Sequence, residues 1–542
     1  TNLRGRREPR ARHSEEFRGV FRNNFETTWE EDHTAMLASL ARRYGVAHRG
    51  FWRGDGRFFA RTLSASASDH ESALQNAMLS SFQRWFEAYG GTCTAISMVQ
   101  TPSIGWGLTA SRDVDVGERL ILLPRVLQMT YSLQDRAATS SSDKLDRGPD
   151  TPQYLKGLIA QVPDELWSVR LGLKLLHERA LGTKSPFFQY VSLLPAMHRG
   201  LPLFFGPEAV GALQYPPLVE QVKRRSRFLI DYSSGPLKEV TAVKDGETEI
   251  VPFDGYSVGA DALGWAFACA SSRAFRVAGE GKPAAFLPLI DVANHSFEPS
   301  AEVRPALGEG PGTIEMVASR PIRAGDEVTL NYGNLSNDYF LLDYGFVPQG
   351  TNEHDNASLR WDVSYLEAAR EVAGLAQVPF AAGTDPWQSN ALSELGLDKD
   401  PEVLVTRDEK QPVDARLLAG IRILYAQGPE DFSGGGDGDA FQPLRHGSLS
   451  ESTLDRTKEA YALRTVQAAL ALALGNFPTT LKEDEMKLEE LNAELAGASG
   501  VGDALEKENL ALAVKFRKGK KEVISRAMKA IDERLRVVLA SQ

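Results

Sequence analysis

PLIDVANHSFEPSAEV (Pro288–Val303) and EMVASRPIRAGDEVTLNYGNLSNDYFLLDYGFV (Glu315–Val347), separated by a gap rich in Gly and Pro, hold the most informative residues of this 542-residue chain. An Asn-His pair, Asn294 and His295, ends an apolar run. Tyr332 follows a short strand-like run, and Tyr344 stands twelve residues further on. Polar groups at the ends of buried segments are held rigidly by what they are attached to, so functional residues are to be sought here first.

Outward from this stretch, a pattern of short strands runs upstream. TAISMV (Thr94–Val99) and SIGWGLTASRDVDVGERLILLP (Ser103–Pro124) carry Val114, Val116, Leu120 and Leu122 in alternation around an Asp-Val-Gly-Glu turn, as in a small antiparallel sheet. Before them, Ala73 to Tyr89 places Leu79, Phe82, Trp85 and Phe86 at helical spacing and stops at Gly90-Gly91. From Pro124 to about Gly255 the pattern turns helical: Leu166, Val169, Leu173 and Leu176 fall on one face, Leu218, Val222 and Leu229 on another. This predicts a helical insertion between parts of a β domain. Trp265, Phe267, Phe275 and the LPLID run then predict a return to strands that end near Phe346.

After Gly350 a nearly all-helical region is expected. Leu417, Ile421 and Leu424 repeat at helical spacing, SGGGDGD (Ser433–Asp439) reads as a loop, and Thr480 to Glu483 has capping-box form. The last helical segment, Ala504 to Leu539, is expected to bend or break near Gly519. Its cluster of Lys515, Arg517, Lys518, Lys520 and Lys521 reads as a solvated face rather than a partner-binding patch. Residues 1–72 give little signal beyond one helix over Thr34–Tyr44. The Arg-rich opening TNLRGRREPRARH lacks an initial Met and reads as a basic tail, since the acidic run from Glu15 suits an organelle transit peptide poorly.

Composition bounds the chemistry. The length predicts two or three domains, and 42% hydrophobic with 25% charged residues is the balance of a globular protein. No apolar run approaches the roughly 18 residues of a membrane span. A net charge of -11 argues against a general nucleic-acid binder and leaves a cationic peptide as the better-suited partner. With Cys93 and Cys269 alone there is neither a disulfide framework nor a cysteine zinc cluster, so a reducing compartment is expected.

The motifs exclude several chemistries. Gly105-Trp106-Gly107 lacks the third glycine and the strand-turn-helix setting of a dinucleotide site, and two glycines equally mark a tight bend. Asp291, Asn294 and His295 are a poor metal set without a second His or Cys. Ser272 and Ser296 sit in no Gly-x-Ser-x-Gly elbow. Taken singly, Tyr332 and Tyr344 are core tyrosines with the hydroxyl bonded outward.

In combination, GWG, SSRAF (Ser271–Phe275), IDVANHS, IRAGDEV, LNYGNLSND and DYGFV resemble, in order and spacing, the SET-domain protein methyltransferases of the Rubisco large-subunit methyltransferase type. The likeness covers about Ser81 to Val347. Downstream, LLAGIRILYA, FPTTLKEDE and RKGKKEVISRAM are similar to that family's C-terminal substrate-binding domain. The resemblance implies an α+β chain: a SET fold of small twisted sheets over 73–349, with a pseudoknot in which the Asn294-His295 and Tyr332 segments meet, a helical insertion over about 125–256, and a helical lobe over 350–542. Residues 1–72 would be a partly disordered extension.

The same resemblance implies transfer of a methyl group from S-adenosylmethionine to a protein lysine, leaving S-adenosylhomocysteine and using no metal. It places Ile104, Trp106, Arg273, Asn294, His295, Tyr344 and Phe346 at the cofactor, with Arg273 facing its carboxylate. Ser272, Asp291 and Tyr344 fall near the substrate lysine, and Tyr332 is the expected catalytic residue. A monomer acting on a protein substrate, with no nucleic acid or membrane, is expected in the chloroplast stroma, cytoplasm or nucleus. Trp106 where a smaller aliphatic residue is usual, Asn331 before Tyr332, and a Tyr332–Tyr344 interval one residue short of the plant Rubisco enzymes leave the substrate open. A histidine-directed methyltransferase and a non-catalytic SET-fold binding module are the alternatives.

Overall fold

The computed structural model describes residues 67–101, 105–133, 151–245, 248–276, 284–380, 385–432, 442–450, 454–497 and 501–540. The helix expected over Thr34–Tyr44 and the SGGGDGD loop at 433–439 lie outside them. Contacts divide the chain into two units. One takes the described residues up to Pro207 with 222–334 and 343–345; the other takes 208–221, 335–342 and 346 onward.

Two four-stranded sheets form the strand part of the first unit. In one, strands Thr92–Cys93, Arg119–Leu123, Ile314–Ala318 and Ala301–Pro305 lie side by side, all antiparallel. Ile314–Ala318 is buried along its whole length, as an inner strand covered on both faces must be. In the other sheet, Ile96–Thr101 and Gly105–Ala110 make a hairpin in the register Ile96↔Ala110 to Thr101↔Gly105. Glu327–Leu330 continues that sheet antiparallel to Gly105–Ala110. Its end runs parallel to Asn294–His295, pairing Thr329 with Asn294 and Leu330 with His295. The alternation around Asp115 to Glu118 is realised only in part. Leu120 and Val114 are buried, the latter bridging to Ile322, while Val116 lies exposed at the turn.

Helix Ala67–Ala88 buries Phe82 and Phe86 as expected. Helices Trp167–Leu181 and Pro216–Ser234 coincide with the two predicted insertion stripes. Trp265 and Phe267 correct the sequence expectation, for they belong to a helix, Ala260–Arg273, and not to a strand. Leu263 through Ser271 are all buried. A helix buried on every side has no polar stripe, so its Trp-x-Phe spacing imitates strand alternation. The LPLID run likewise forms a short 3₁₀ turn, Ile290–Val292.

In the second unit, Ala415–Tyr425, Arg456–Gly475 and Val501–Ala540 supply most of the core. The region is not purely helical, since Asn356–Arg360 and Glu402–Thr406 pair as an antiparallel ribbon. The Thr480–Glu483 capping box forms with both reciprocal bonds. Val501–Ala540, about 60 Å long at 1.5 Å per residue, passes Gly519 unbroken.

The basic cluster on that helix is not a solvated face. Lys520 is fully buried, its Nζ donating to Asp338, to Asp355 Oδ1 at 2.7 Å and to the Asn356 carbonyl at 2.6 Å. Lys521 donates to Asp484 Oδ2 at 2.6 Å, and Arg517 donates to Asp484 Oδ1 at 2.8 Å. Charge runs are normally solvated because burial strips water from each ion; here carboxylates and carbonyls replace that water group by group.

No helix among the described residues is long and apolar enough to cross a membrane. None of the described residues forms a group of three or more His, Cys, Asp or Glu able to hold a metal ion.

Candidate active site

The parallel pairing of Asn294–His295 with the end of Glu327–Leu330 builds the site. Tyr332 leaves the strand two residues after Leu330, which sets its backbone N–H on His295 Nδ1 at 3.2 Å. That nitrogen accepts, so the imidazole is neutral with its proton on Nε2, and burial holds its pKa below the usual histidine range. The Tyr332 hydroxyl donates to the Ala293 carbonyl at 2.7 Å. Its ring stacks on Tyr344, with centroids 4.8 Å apart, and leans on His295 at 5.3 Å. Burial raises both phenols, Tyr344 to about 12 and Tyr332 further, so both hydroxyls stay protonated at neutral pH.

Tyr344 is held by its neighbours. Asp343 accepts from Arg225 Nη1 at 2.7 Å, and its carbonyl accepts from Ser271 Oγ at 3.3 Å. Gly345 follows at φ +77°, close to the backbone of Arg199 and Gly200. The second glycine of GWG also has a local reason. A Cβ on Gly107 would come within 3.0 Å of Asn294 Nδ2 and 3.3 Å of Glu327 Oε1. Those two atoms are themselves hydrogen-bonded at 2.7 Å. Three motifs distant in sequence therefore meet over one glycine.

Beside this lies a cleft lined by Phe82, Met98, Trp106, Arg273, Leu289 and Asp291 among others. Arg273 ends helix Ala260–Arg273, where a cation complements the helix dipole. Its side chain is 21% exposed, whereas that of Asp291 is wholly buried. Arg273 Nη1 donates to the Asp291 carbonyl at 3.1 Å and stands 3.6 Å from Asp291 Oδ2. Burial works against the Arg273 charge, but Asp291 carries its pKa above the ordinary arginine value. For Asp291, burial raises the pKa against the pull of Arg273 and Tyr190.

Of the residues singled out from the sequence, Trp106, Arg273 and Asp291 line this cleft, and Asn294, His295, Tyr332 and Tyr344 cluster around the parallel pair. Ser272 turns its hydroxyl back onto the Ala268 carbonyl at 2.7 Å, inside its own helix. Phe346 belongs to the second unit, where its ring meets Phe340 at 5.2 Å. Ile104 lies outside the described residues. Tyr190, missed from the sequence, also lines the cleft and donates to Asp291 Oδ2 at 2.6 Å. It sits on a six-residue helix, too short for any periodicity to mark its inward face.

The SET domain family matches residues 105–333, and the Rubisco LSMT substrate-binding family matches residues 385–524. Among curated proteins, an actin-histidine N-methyltransferase of Xenopus tropicalis is 24% identical over 461 residues, covering 83% of this chain and 69% of the relative. The human protein of the same name is 24% identical, with 82% and 67% covered. Among solved structures, the SET domain of LSMT bound to lysine and AdoHcy aligns with a TM-score of 0.58 at 19% identity, over 85% of this chain and 92% of that one. Rubisco LSMT bound to AdoMet aligns with a TM-score of 0.55 at 18% identity, over 85% and 93%. With an α+β SET fold in the first unit and the helical match in the second, the chain belongs to the SET-domain methyltransferases that carry a Rubisco LSMT substrate-binding domain.

Proposed function

We propose that this methyltransferase transfers a methyl group from S-adenosylmethionine to a lysine side chain of a folded protein, with Tyr332 as the catalytic residue. The observation that carries this reading is the Tyr332–Tyr344 stack, with its two protonated hydroxyls, beside the Asn294–His295 strand.

The cleft suits the cofactor. Arg273 offers a largely buried guanidinium to an amino-acid carboxylate, and Phe82, Met98 and Leu289 offer apolar wall. Among the described residues Asp291 Oδ1 has no hydrogen-bond partner, an acceptor suited to an ammonium group. Trp106, Asn294 and His295 bind the rest, the first from the glycine-flanked strand. S-adenosylmethionine, when bound, supplies a methyl group activated by its sulfonium.

Free lysine, with a pKa of about 10.4, is almost wholly protonated at neutral pH and does not attack in that form. Neither phenol is ionised, so neither serves as a base. The amine loses its proton to water as it comes up against the edge of the Tyr332–Tyr344 stack, whose low polarity favours the neutral form. The Tyr332 hydroxyl then orients the lone pair, which is a contribution of positioning rather than of proton transfer. The helical lobe from about residue 350 selects the protein that presents the lysine, in keeping with its substrate-binding family match.

A histidine acceptor is the second reading, favoured by the curated relatives named for actin-histidine methylation. An imidazole, with a pKa near 6.5, is already largely neutral at pH 7 and needs no desolvation to become a nucleophile. Calorimetry with S-adenosylhomocysteine tests the cofactor, and a folded sample that binds none removes the enzyme reading. Radiolabelled cofactor in an extract of the source cell, followed by mass spectrometry of the labelled peptide, separates the acceptors. Label on lysine is expected, and label on histidine would hand the assignment to the second reading.

A further inference from the structure

Tyr190, on helix Phe188–Leu193 of the helical insertion, is 3% exposed and reaches across 101 residues of sequence to donate its hydroxyl proton to Asp291 Oδ2 at 2.6 Å. The same oxygen stands 3.6 Å from Arg273. Buried guanidinium–carboxylate pairs ordinarily close to about 2.7–2.9 Å, often through two parallel bonds. Here the phenol holds the carboxylate oxygen and the guanidinium stops short, engaging the Asp291 carbonyl at 3.1 Å instead.

We propose that Tyr190 is a positioning residue for cofactor binding: by occupying Asp291 Oδ2 it keeps Arg273 from closing onto Asp291 and leaves the guanidinium to the carboxylate of an S-adenosyl amino acid. The inference rests on the proposed function, since it concerns the same cleft. Its chemistry is a competition for Asp291 Oδ2, the carboxylate oxygen nearest Arg273. Without the phenol hydroxyl, Asp291 Oδ2 would be buried with no donor, and the cheapest remedy is a movement of Arg273 by less than about 1 Å into direct contact. The guanidinium would then be engaged by an internal anion, and a ligand carboxylate would have to compete for it. A ligand without that carboxylate would be indifferent to the change.

Calorimetry on the full chain, with S-adenosylhomocysteine and with 5′-methylthioadenosine, which lacks the amino-acid part, tests this. Tyr190→Phe is expected to weaken S-adenosylhomocysteine about tenfold, the loss of one hydrogen-bonded charge interaction, and to leave methylthioadenosine unchanged. In an Asp291→Asn background, where no charge draws Arg273 inward, Tyr190→Phe should have no further effect. Equal weakening of both ligands means a merely structural role and overturns the proposal, as does an unchanged ratio. If Tyr190→Phe does not fold, a crystal structure of the wild-type protein with S-adenosylhomocysteine decides. Arg273 on the ligand carboxylate with Tyr190 still on Asp291 is expected, and Arg273 closed onto Asp291 away from the ligand overturns it. A wild-type protein that binds neither ligand removes the proposed function itself. One that binds S-adenosylhomocysteine, with the Tyr190→Phe ratio unchanged, removes only this inference.

Discussion

The rings of Tyr332 and Tyr344 stack with centroids 4.8 Å apart and planes 27° from parallel, and the Tyr332 hydroxyl is fixed on the Ala293 carbonyl. Tyr332→Phe keeps the stack and removes the hydroxyl. Turnover should fall at least about a hundredfold, the scale of losing one aligned polar group at a reacting centre. Affinity for S-adenosylhomocysteine should stay as in the wild type, and stability should drop by only about 1 kcal/mol. Initial rates with labelled cofactor, set beside calorimetry, check this. Full activity would show that Tyr332 is not the catalytic residue.

Gly345 controls the chain just after Tyr344. Its φ of +77° is strained for any residue with a Cβ, and a Cβ there would lie 2.7 Å from the Arg199 carbonyl oxygen. Gly345→Ala should cost at least about 2 kcal/mol of stability. It should also reduce turnover more than cofactor affinity, because Tyr344 moves first. Thermal unfolding and calorimetry together check both parts, and an alanine variant as stable as wild type would contradict the close approach.

Lys520 and Lys518 lie two residues apart on one helix in opposite settings. Lys520 has no exposed side-chain area and is paired with Asp338 and Asp355. Lys518 is 24% exposed and pairs with Glu522 at 2.6 Å. Lys520→Met leaves the buried Asp355 and the partly exposed Asp338 without their cation and should destabilise by about 3–5 kcal/mol. Lys518→Met should cost about 1 kcal/mol or less. Urea unfolding of the two variants makes the comparison, and similar losses would refute the difference in burial.

His177 should make stability depend on acid. The Phe253 N–H donates to the Tyr154 hydroxyl at 3.1 Å, which in turn meets His177 Nδ1 at 2.7 Å. A neutral His177 can accept the phenol proton at that nitrogen. Burial lowers the His177 pKa from 6.5 to about 4. Between those values the unfolded chain binds the extra proton and the folded chain does not, so stability falls as pH drops from about 6.5 to about 4. The loss reaches up to about 3 kcal/mol. His177→Gln, which keeps an acceptor for Tyr154 but cannot titrate in this range, should flatten that part of the curve. Unfolding midpoints from pH 7 to pH 4 measure it, and parallel curves for variant and wild type would exclude His177 as the cause.

Much of the site was legible because its residues lie in motifs whose spacing is set by the backbone: GWG on a hairpin, Asn294-His295 and Tyr332 on paired strands, Tyr344 before a glycine. The capping box at Thr480 was legible for the same reason, being a local bond pattern. What escaped depends on partners far away in sequence. Tyr190 acquires its meaning only from Asp291, and Lys520 only from Asp338 and Asp355. The helix Ala260–Arg273 was misread because full burial erases the polar face on which periodicity depends.

The pairing of Asn294–His295 with the end of Glu327–Leu330 also bears on how the protein matures. The Tyr332 N–H and His295 Nδ1 are 37 residues apart in sequence, and a parallel pair cannot be closed by a tight turn. Such non-local pairing comes late, after loop-closure entropy has been met by other contacts. Strand Glu327–Leu330 also pairs with Gly105–Ala110 across about 220 residues of sequence, so the candidate pocket is complete only when that still more distant pairing is made. A ligand of that pocket then binds only chains whose last strand has docked, and it favours the finished state by mass action.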